Sequence, residues 1–283
     1  MPEGATGSSL FVEIRNPPRV VEGPPVMLLH GWASTSAYWE PLVDKLLDAG
    51  HAVWIVDLPG YHPGESLPEN FDWTLDSVAA AVAEEISSRQ EPGLPAAGAV
   101  HVVGHSLGGS VALTLAARHP ECVATLTLVG MVPAPLNEGF RSMLSSQLRQ
   151  GFIDAGTREK LMKAWFGPLE AAEREILGRG FSVPFGVLGA SGEAGLQGVD
   201  SRDPALVTAP TLVIIGTDDR LRTPAQVQQF VAGSPERRLA AIPNAGHSVH
   251  WEQPAACAKA MEKFWQARPT AKPAAPRRKM SDI

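Results

Sequence analysis

Along the chain, short uninterrupted apolar and β-branched runs alternate with longer segments in which apolar positions recur every three or four residues. The short runs are "LFVEIR" (10–15), "VMLLH" (26–30), "AVWIVD" (52–57), "VHVVG" (100–104), "TLTLVG" (125–130), "TLVIIG" (211–216) and "RLAAIP" (238–243). Several lack any polar interruption, which predicts strands covered on both faces; their alternation with helical segments predicts an α/β fold with a mostly parallel central sheet. In "TLDSVAAAVAEEISSRQ", Leu75, Val78, Ala79, Val82 and Ile86 fall on one helical stripe, with Thr74 placed to cap it. "LGGSVALTLAARHP" predicts a helix that starts right after Ser106 and stops at Pro120.

The alternation breaks after the fifth run. Residues 134–203 hold helical stretches and no strand pattern before the strand at Thr211. Such an excursion between two strands predicts a helical cap laid over the sheet. The expected organisation is a core of residues 1–133 and 204–267, a helical cap of residues 134–203, and a tail of residues 268–283. The tail is rich in Pro, Ala and basic residues and has little to bury, so it is expected to lie outside the fold, with Arg277, Arg278 and Lys279 solvated.

Composition narrows the function classes. With 283 residues and 44% hydrophobic content the chain can bury a substantial core. A net charge of -6 argues against nucleic acid as a partner, because binding there depends on basic residues neutralising phosphates. No apolar run approaches the roughly 20 residues of a membrane span, and the start, "MPEGATGSSLFVEIR", lacks the pattern of a secretory signal. A cytoplasmic location is therefore expected. Cys122 and Cys257 stand far apart without metal-like spacing, so neither a disulfide framework nor a metal site is implied.

The tripeptide Gly-His-Ser occurs twice, in "VVGHSLGGS" and in "AGHSVHWEQP". The first copy follows a strand and precedes a helix, the context of a G-x-S-x-G nucleophile elbow, with Gly104 and Gly108 flanking Ser106 where side chains would collide in a sharp turn. The helix start also puts the backbone N–H of Leu107 near any negative oxygen formed at the serine. A serine hydroxyl needs an adjacent base. Of the eight histidines, His30, His101 and His105 sit in or at the ends of strands, and His51 and His119 in turns, so each reads as structural. His247 in the second copy falls on a loop after the last strand, where open α/β sheets place ligands, and fits the base. An acid should lie between the two in chain order; "TLVIIGTDDRLRTP" offers Asp218 and Asp219 directly after a strand. The loop in "VMLLHGWAST" offers a second oxyanion donor, the N–H of Trp32, beside Gly31.

These four stations, His30-Gly31-Trp32, Gly104 to Gly109, Gly216 to Asp219, and Gly246-His247 with Glu252 and Pro254 following, resemble the α/β-hydrolase superfamily over residues 10–266, in particular its small cofactor-free members with a helical cap. The resemblance implies a Ser106, His247, Asp219 triad, the acid being the fourth residue of a Gly-x-x-Asp pattern, with Asp218 as fallback. It implies acyl transfer through an acyl-enzyme, an oxyanion hole from Trp32 and Leu107, a small-molecule substrate, and neither cofactor nor metal. Serine at the elbow argues against the epoxide hydrolases and haloalkane dehalogenases, which carry aspartate there. Two features depart from the family. "DLPGYHPGES" has two extra residues that could bring Tyr61 or His62 to the pocket mouth, and the short amino terminus leaves room for one strand before "VMLLH", short of the usual eight-stranded sheet.

Substrate choice would be set by the cap and by residues near the elbow. Met131, Trp165 and Phe166 are the candidate contacts, with Leu161, Phe181 and Phe185 as further apolar positions, and together they favour an apolar or aromatic acyl group. The leading expectation is hydrolysis of a small ester, lactone or thioester. A C–C bond hydrolase of ring-cleavage products, a cofactor-free perhydrolase and a non-catalytic binding protein are the alternatives. The oligomeric state is left open.

Overall fold

In a computed structural model, which describes residues 10–65, 67, 70–89 and 98–267, seven strands form one sheet in the order β1-β3-β2-β4-β5-β6-β7. They are β1 (Phe11–Arg15), β2 (Val26–Leu29), β3 (Val53–Asp57), β4 (Val100–His105), β5 (Val123–Val129), β6 (Thr211–Gly216) and β7 (Arg237–Ile242). Only β1 runs antiparallel, against β3. Among the described residues one strand precedes β2 and the sheet has seven. The expected tail, residues 268–283, lies outside the described residues.

Around the sheet lie α1 (Glu40–Asp48), α2 (Leu75–Ser88), α3 (Leu107–Arg118), α4 (Glu138–Gln150), α5 (Ala155–Trp165), α6 (Ala171–Gly178), α7 (Phe185–Gln197), α8 (Asp203–Leu206), α9 (Pro224–Ala232), α10 (Val249–Glu252) and α11 (Pro254–Gln266). Successive side chains of β2 point to opposite faces. Met27 and Leu29 join a core with α2 and α3, while Val26 and Leu28 join one with α1 and α11. With both faces covered, all four β2 residues are buried, which is why the run carries no polar residue. Thr74 caps α2 as its sequence predicts, its hydroxyl accepting the N–H of Ser77. Between β5 and β6 the described chain forms helices and turns and no strand. Among the described residues no helix is long and apolar enough to cross a membrane.

The connection from β2 goes to β3 on one side, and β4 then returns to the other. The loops after β2 and β4 therefore diverge across a crevice at the carboxyl edge of the sheet, the place where this architecture receives ligands.

Candidate active site

Ser106 sits between β4 and α3 with φ 50° and ψ -112°, a backbone conformation that non-glycine residues rarely adopt. Two glycines make the turn sterically possible. A Cβ at Gly104 would stand 2.2 Å from the Gly108 carbonyl oxygen, and one at Gly108 would stand 2.2 Å from the Leu29 carbonyl oxygen. The serine N–H is tied to the Val129 carbonyl at 3.1 Å, and its own carbonyl accepts the N–H of Ser110 as the first rung of α3. That leaves the Leu107 N–H at the helix start with no rung to join.

The loops after β6 and β7 meet through backbone. Gly216 approaches so closely that a Cβ would lie 2.1 Å from the Ala245 carbonyl oxygen, and Asp218 N–H donates to that same oxygen at 2.9 Å. The contact brings Asp219 and His247 together: Nδ1 of His247 lies 3.0 Å from Oδ2 of Asp219, and the other carboxylate oxygen accepts the Leu221 N–H at 2.7 Å. Burial pushes the Asp219 carboxyl up, but the His247 charge and hydrogen bond, the Leu221 N–H and the Arg222 charge outweigh it and hold it below the usual carboxylate range. Asp218 is exposed.

The loop after β2 is braced from several sides. Nε2 of buried His30 accepts the Leu58 N–H at 3.1 Å, which fixes the tautomer, so Nδ1–H donates to the Gly31 carbonyl at 2.8 Å. The Gly31–Trp32 peptide is trans, so drawing its carbonyl toward His30 aims the Trp32 N–H the opposite way. Among the described residues no backbone carbonyl takes that N–H. The next N–H, of Ala33, reaches the Tyr61 hydroxyl at 3.4 Å. Ser191 on α7 gives its own proton to the Val187 carbonyl, so the Tyr61 hydroxyl donates to the Ser191 oxygen at 2.8 Å. Gly180, between α6 and α7, rests on Ala33 so tightly that a Cβ would stand 2.1 Å from its carbonyl group.

Ser106, His247, Trp32 and Leu107 all line one cleft, of about 790 Å³ counted with its open mouth. Trp165 and Phe166 line it too, along with Leu136, Phe140 and Leu144. Met131 does not; it is buried under α3, against Gly109. Phe181 stacks on Trp165 with ring centroids 5.7 Å apart, and Phe185 packs on the α4–α7 cluster. The "DLPGYHPGES" loop turns inward: Tyr61 is fully buried, and His62 gives Nδ1 to Asp57 at 2.9 Å while stacking on Phe11. The reason is Asp57, whose buried carboxylate needs donors and takes His62 on one oxygen and the Ser36 N–H on the other.

Sequence reasoning passed over Tyr38, which lines the cleft and donates to Ser248, and Arg222, which lines it after Asp219. Tyr38 carried no motif, and Arg222 stood in a stretch valued for its aspartates. Ser248 and His250 are fully buried, and His250 packs against the Tyr38 and Trp39 rings. Burial pushes the imidazoles of His105 and His250 well below the usual range, so both are neutral near pH 7.

Residues 26–260 match the family model of the alpha/beta hydrolase family. The chain belongs to that family. As an alpha/beta hydrolase it is 37% identical over 176 residues to the pimeloyl-[acyl-carrier protein] methyl ester esterase of Methylococcus capsulatus, a match covering 59% of this chain and 61% of that one. It is 26% identical over 252 residues to a 2-hydroxy-6-oxononadienedioate/2-hydroxy-6-oxononatrienedioate hydrolase of a Pseudomonas species, covering 80% of this chain and 82% of that one. Among solved structures, the esterase of Exiguobacterium antarcticum superposes with a TM-score of 0.76 at 21% identity, over 91% of this chain and 95% of that one. The last likeness is one of fold. All three of these proteins are hydrolases or esterases.

Proposed function

We propose that the chain is a serine hydrolase that cleaves a small apolar or aromatic ester, lactone or thioester through an acyl-enzyme on Ser106. The observation that carries this reading is the hydrogen bond between His247 Nδ1 and Asp219 beneath a cleft that Ser106 and His247 both line. Ser106 Oγ attacks the carbonyl carbon, and its proton passes to His247 Nε2. The carbonyl oxygen becomes an oxyanion, held by the N–H groups of Trp32 and Leu107, a term typically worth ~3 kcal/mol per donor. Collapse expels the alcohol or thiol, which takes the proton from His247. Water then repeats the sequence on the acyl group, giving its proton to His247 and releasing the acid. Asp219 keeps the imidazole in the tautomer this requires and stabilises the imidazolium. No cofactor enters the scheme.

The apolar lining by Leu136, Phe140, Trp165 and Phe166 supports an apolar acyl group. All four lie within residues 134–203, which supports reading that helical stretch as the cap of the proposed site. Likeness to the Pseudomonas hydrolase favours a second reading, C–C bond hydrolysis, which would use the same three residues.

A fluorophosphonate probe tests the proposal. It should label Ser106 in the folded protein, and failure to label would overturn the serine mechanism. Turnover of aryl esters and acyl thioesters, set against that of a vinylogous diketone, decides between the two bond types.

A further inference from the structure

Of the residues lining the cleft, Arg222 alone carries a permanent charge. The guanidinium is poorly compensated. One amino group, Nη1, donates to the neutral carbonyl of Ala134 at 2.9 Å. Nε is buried with no hydrogen-bond partner, and no ion pair joins the side chain to a described carboxylate. Asp219 is near enough to act on it through space, yet both oxygens of that carboxylate are engaged, by His247 and by the Leu221 N–H. Burial accordingly pushes the guanidinium down from its ordinary value, with the Asp219 charge offsetting only part of the effect.

A cation held half out of water without a bonded counter-ion is costly to keep, and replacing it with an apolar residue of similar volume is often neutral or stabilising. The cleft that it lines also carries the apolar Leu136, Phe140, Leu144 and Leu221, a setting that would suit such a residue. In an apolar cleft the position reads instead as one whose partner arrives with the ligand.

We propose that Arg222 is the docking point for a carboxylate carried by the substrate, so that the preferred substrate is an ester or thioester of an apolar chain bearing a free acid group. This rests on the serine hydrolase reading. A carboxylate supplies both the missing charge and a planar acceptor matched to guanidinium donors. The acid group also separates the two ends of the substrate. With the anion at Arg222, the scissile carbonyl is left to Ser106, which lines the same cleft.

The test uses aryl half-esters of a homologous series of alkanedioic acids, each paired with the neutral ester of matching length. The unaltered enzyme should favour the best half-ester over its neutral partner by at least about tenfold in kcat/KM, equivalent to ~1.4 kcal/mol. In Arg222→Met that ratio should fall about tenfold, chiefly through KM, and Arg222→Lys should restore part of it. If Arg222 acted only by supporting Asp219, both substrates would lose kcat alike and the ratio would not move, which would overturn the proposal. Should the variants fail to fold, the unaltered enzyme still decides: an alkanedioate should slow fluorophosphonate labelling of Ser106, and the matching diamide should not. Turnover of both esters without preference, or equal protection by acid and amide, sinks the carboxylate site alone. No turnover of either ester and no labelling sinks the serine hydrolase reading with it.

Discussion

Nδ1 of His247 lies 3.0 Å from Oδ2 of Asp219, while Asp218, its sequence neighbour, turns outward and takes the Thr217 hydroxyl at 3.4 Å. The two aspartates are equivalent as letters and differ in what they face. Asp219→Asn should lower kcat by about 10⁴-fold, because the amide favours the wrong imidazole tautomer. Asp218→Asn should lower it far less. Steady-state kinetics on one aryl ester compares them, and the reverse order would reassign the acid.

Ser106 holds a backbone conformation suited to glycine. Ser106→Gly should abolish turnover and fluorophosphonate labelling yet raise stability by on the order of 1 kcal/mol, since strain of this kind costs about 1–3 kcal/mol and glycine loses more chain entropy on folding. Ser106→Ala should be equally inactive but melt below the glycine variant. Thermal melts of the two variants side by side test the ordering.

Removing one oxygen from Tyr61 should reach the chemistry indirectly. Tyr61→Phe frees the Ala33 N–H and breaks the link to Ser191, both inside the fold. We expect a stability loss of about 1–3 kcal/mol from the buried groups left unpaired. The rate of Ser106 labelling and kcat should fall more than KM rises, because the loop carrying the Trp32 N–H loses a brace while the cleft walls stay. An unchanged kcat would detach Tyr61 from the site.

Buried histidines set a lower pH limit on stability. Burial pushes His101 down to about 3; it stacks on Trp265 and shares a hydrogen bond with Thr125 at 2.8 Å. Unfolded, the same group titrates near 6.5. Above about pH 6.5 both states are neutral and the group contributes nothing to the pH dependence. As pH falls toward 3 the unfolded chain takes up a proton that the folded one refuses, which favours unfolding; below 3 the penalty stops growing. At pH 5 this amounts to about 2 kcal/mol. His101→Gln should therefore lose less stability between pH 7 and pH 5 than the parent, read from urea unfolding at each pH. A parallel decline of the two proteins would contradict this.

The sheet was legible because strand burial on both faces writes itself into local sequence. "TLVIIG" and β6 coincide, and the remaining strands differ from their apolar runs by one or two residues at the ends. The elbow was legible for a different reason: a turn that tight admits only glycine at Gly104 and Gly108, and that requirement shows in the letters. What stayed hidden depends on partners distant in the chain. Tyr61 read as a residue that an enlarged loop could bring to the pocket mouth, whereas its partner Ser191, 130 residues away, ties it inside the fold. His250 is enclosed by the rings of Tyr38 and Trp39, which lie far from it in the chain. Met131 follows a strand whose end adjoins the elbow, but its side chain fills the space left by Gly109 instead of entering the cleft. Periodicity tells a residue's face; it does not tell which distant surface that face meets.

The missing side chain at Gly180 has a mechanical meaning. With Ala33 pressed against it, and with the Trp32 indole donating to the Leu188 carbonyl at 2.8 Å, the helices after β5 are fastened to the loop after β2 at two points. A roof pinned in this way is no free-swinging lid. Swapping these helices for those of a relative would transplant specificity only if a glycine landed in the same register, and a graft that missed it would shift the loop beneath before any substrate arrived.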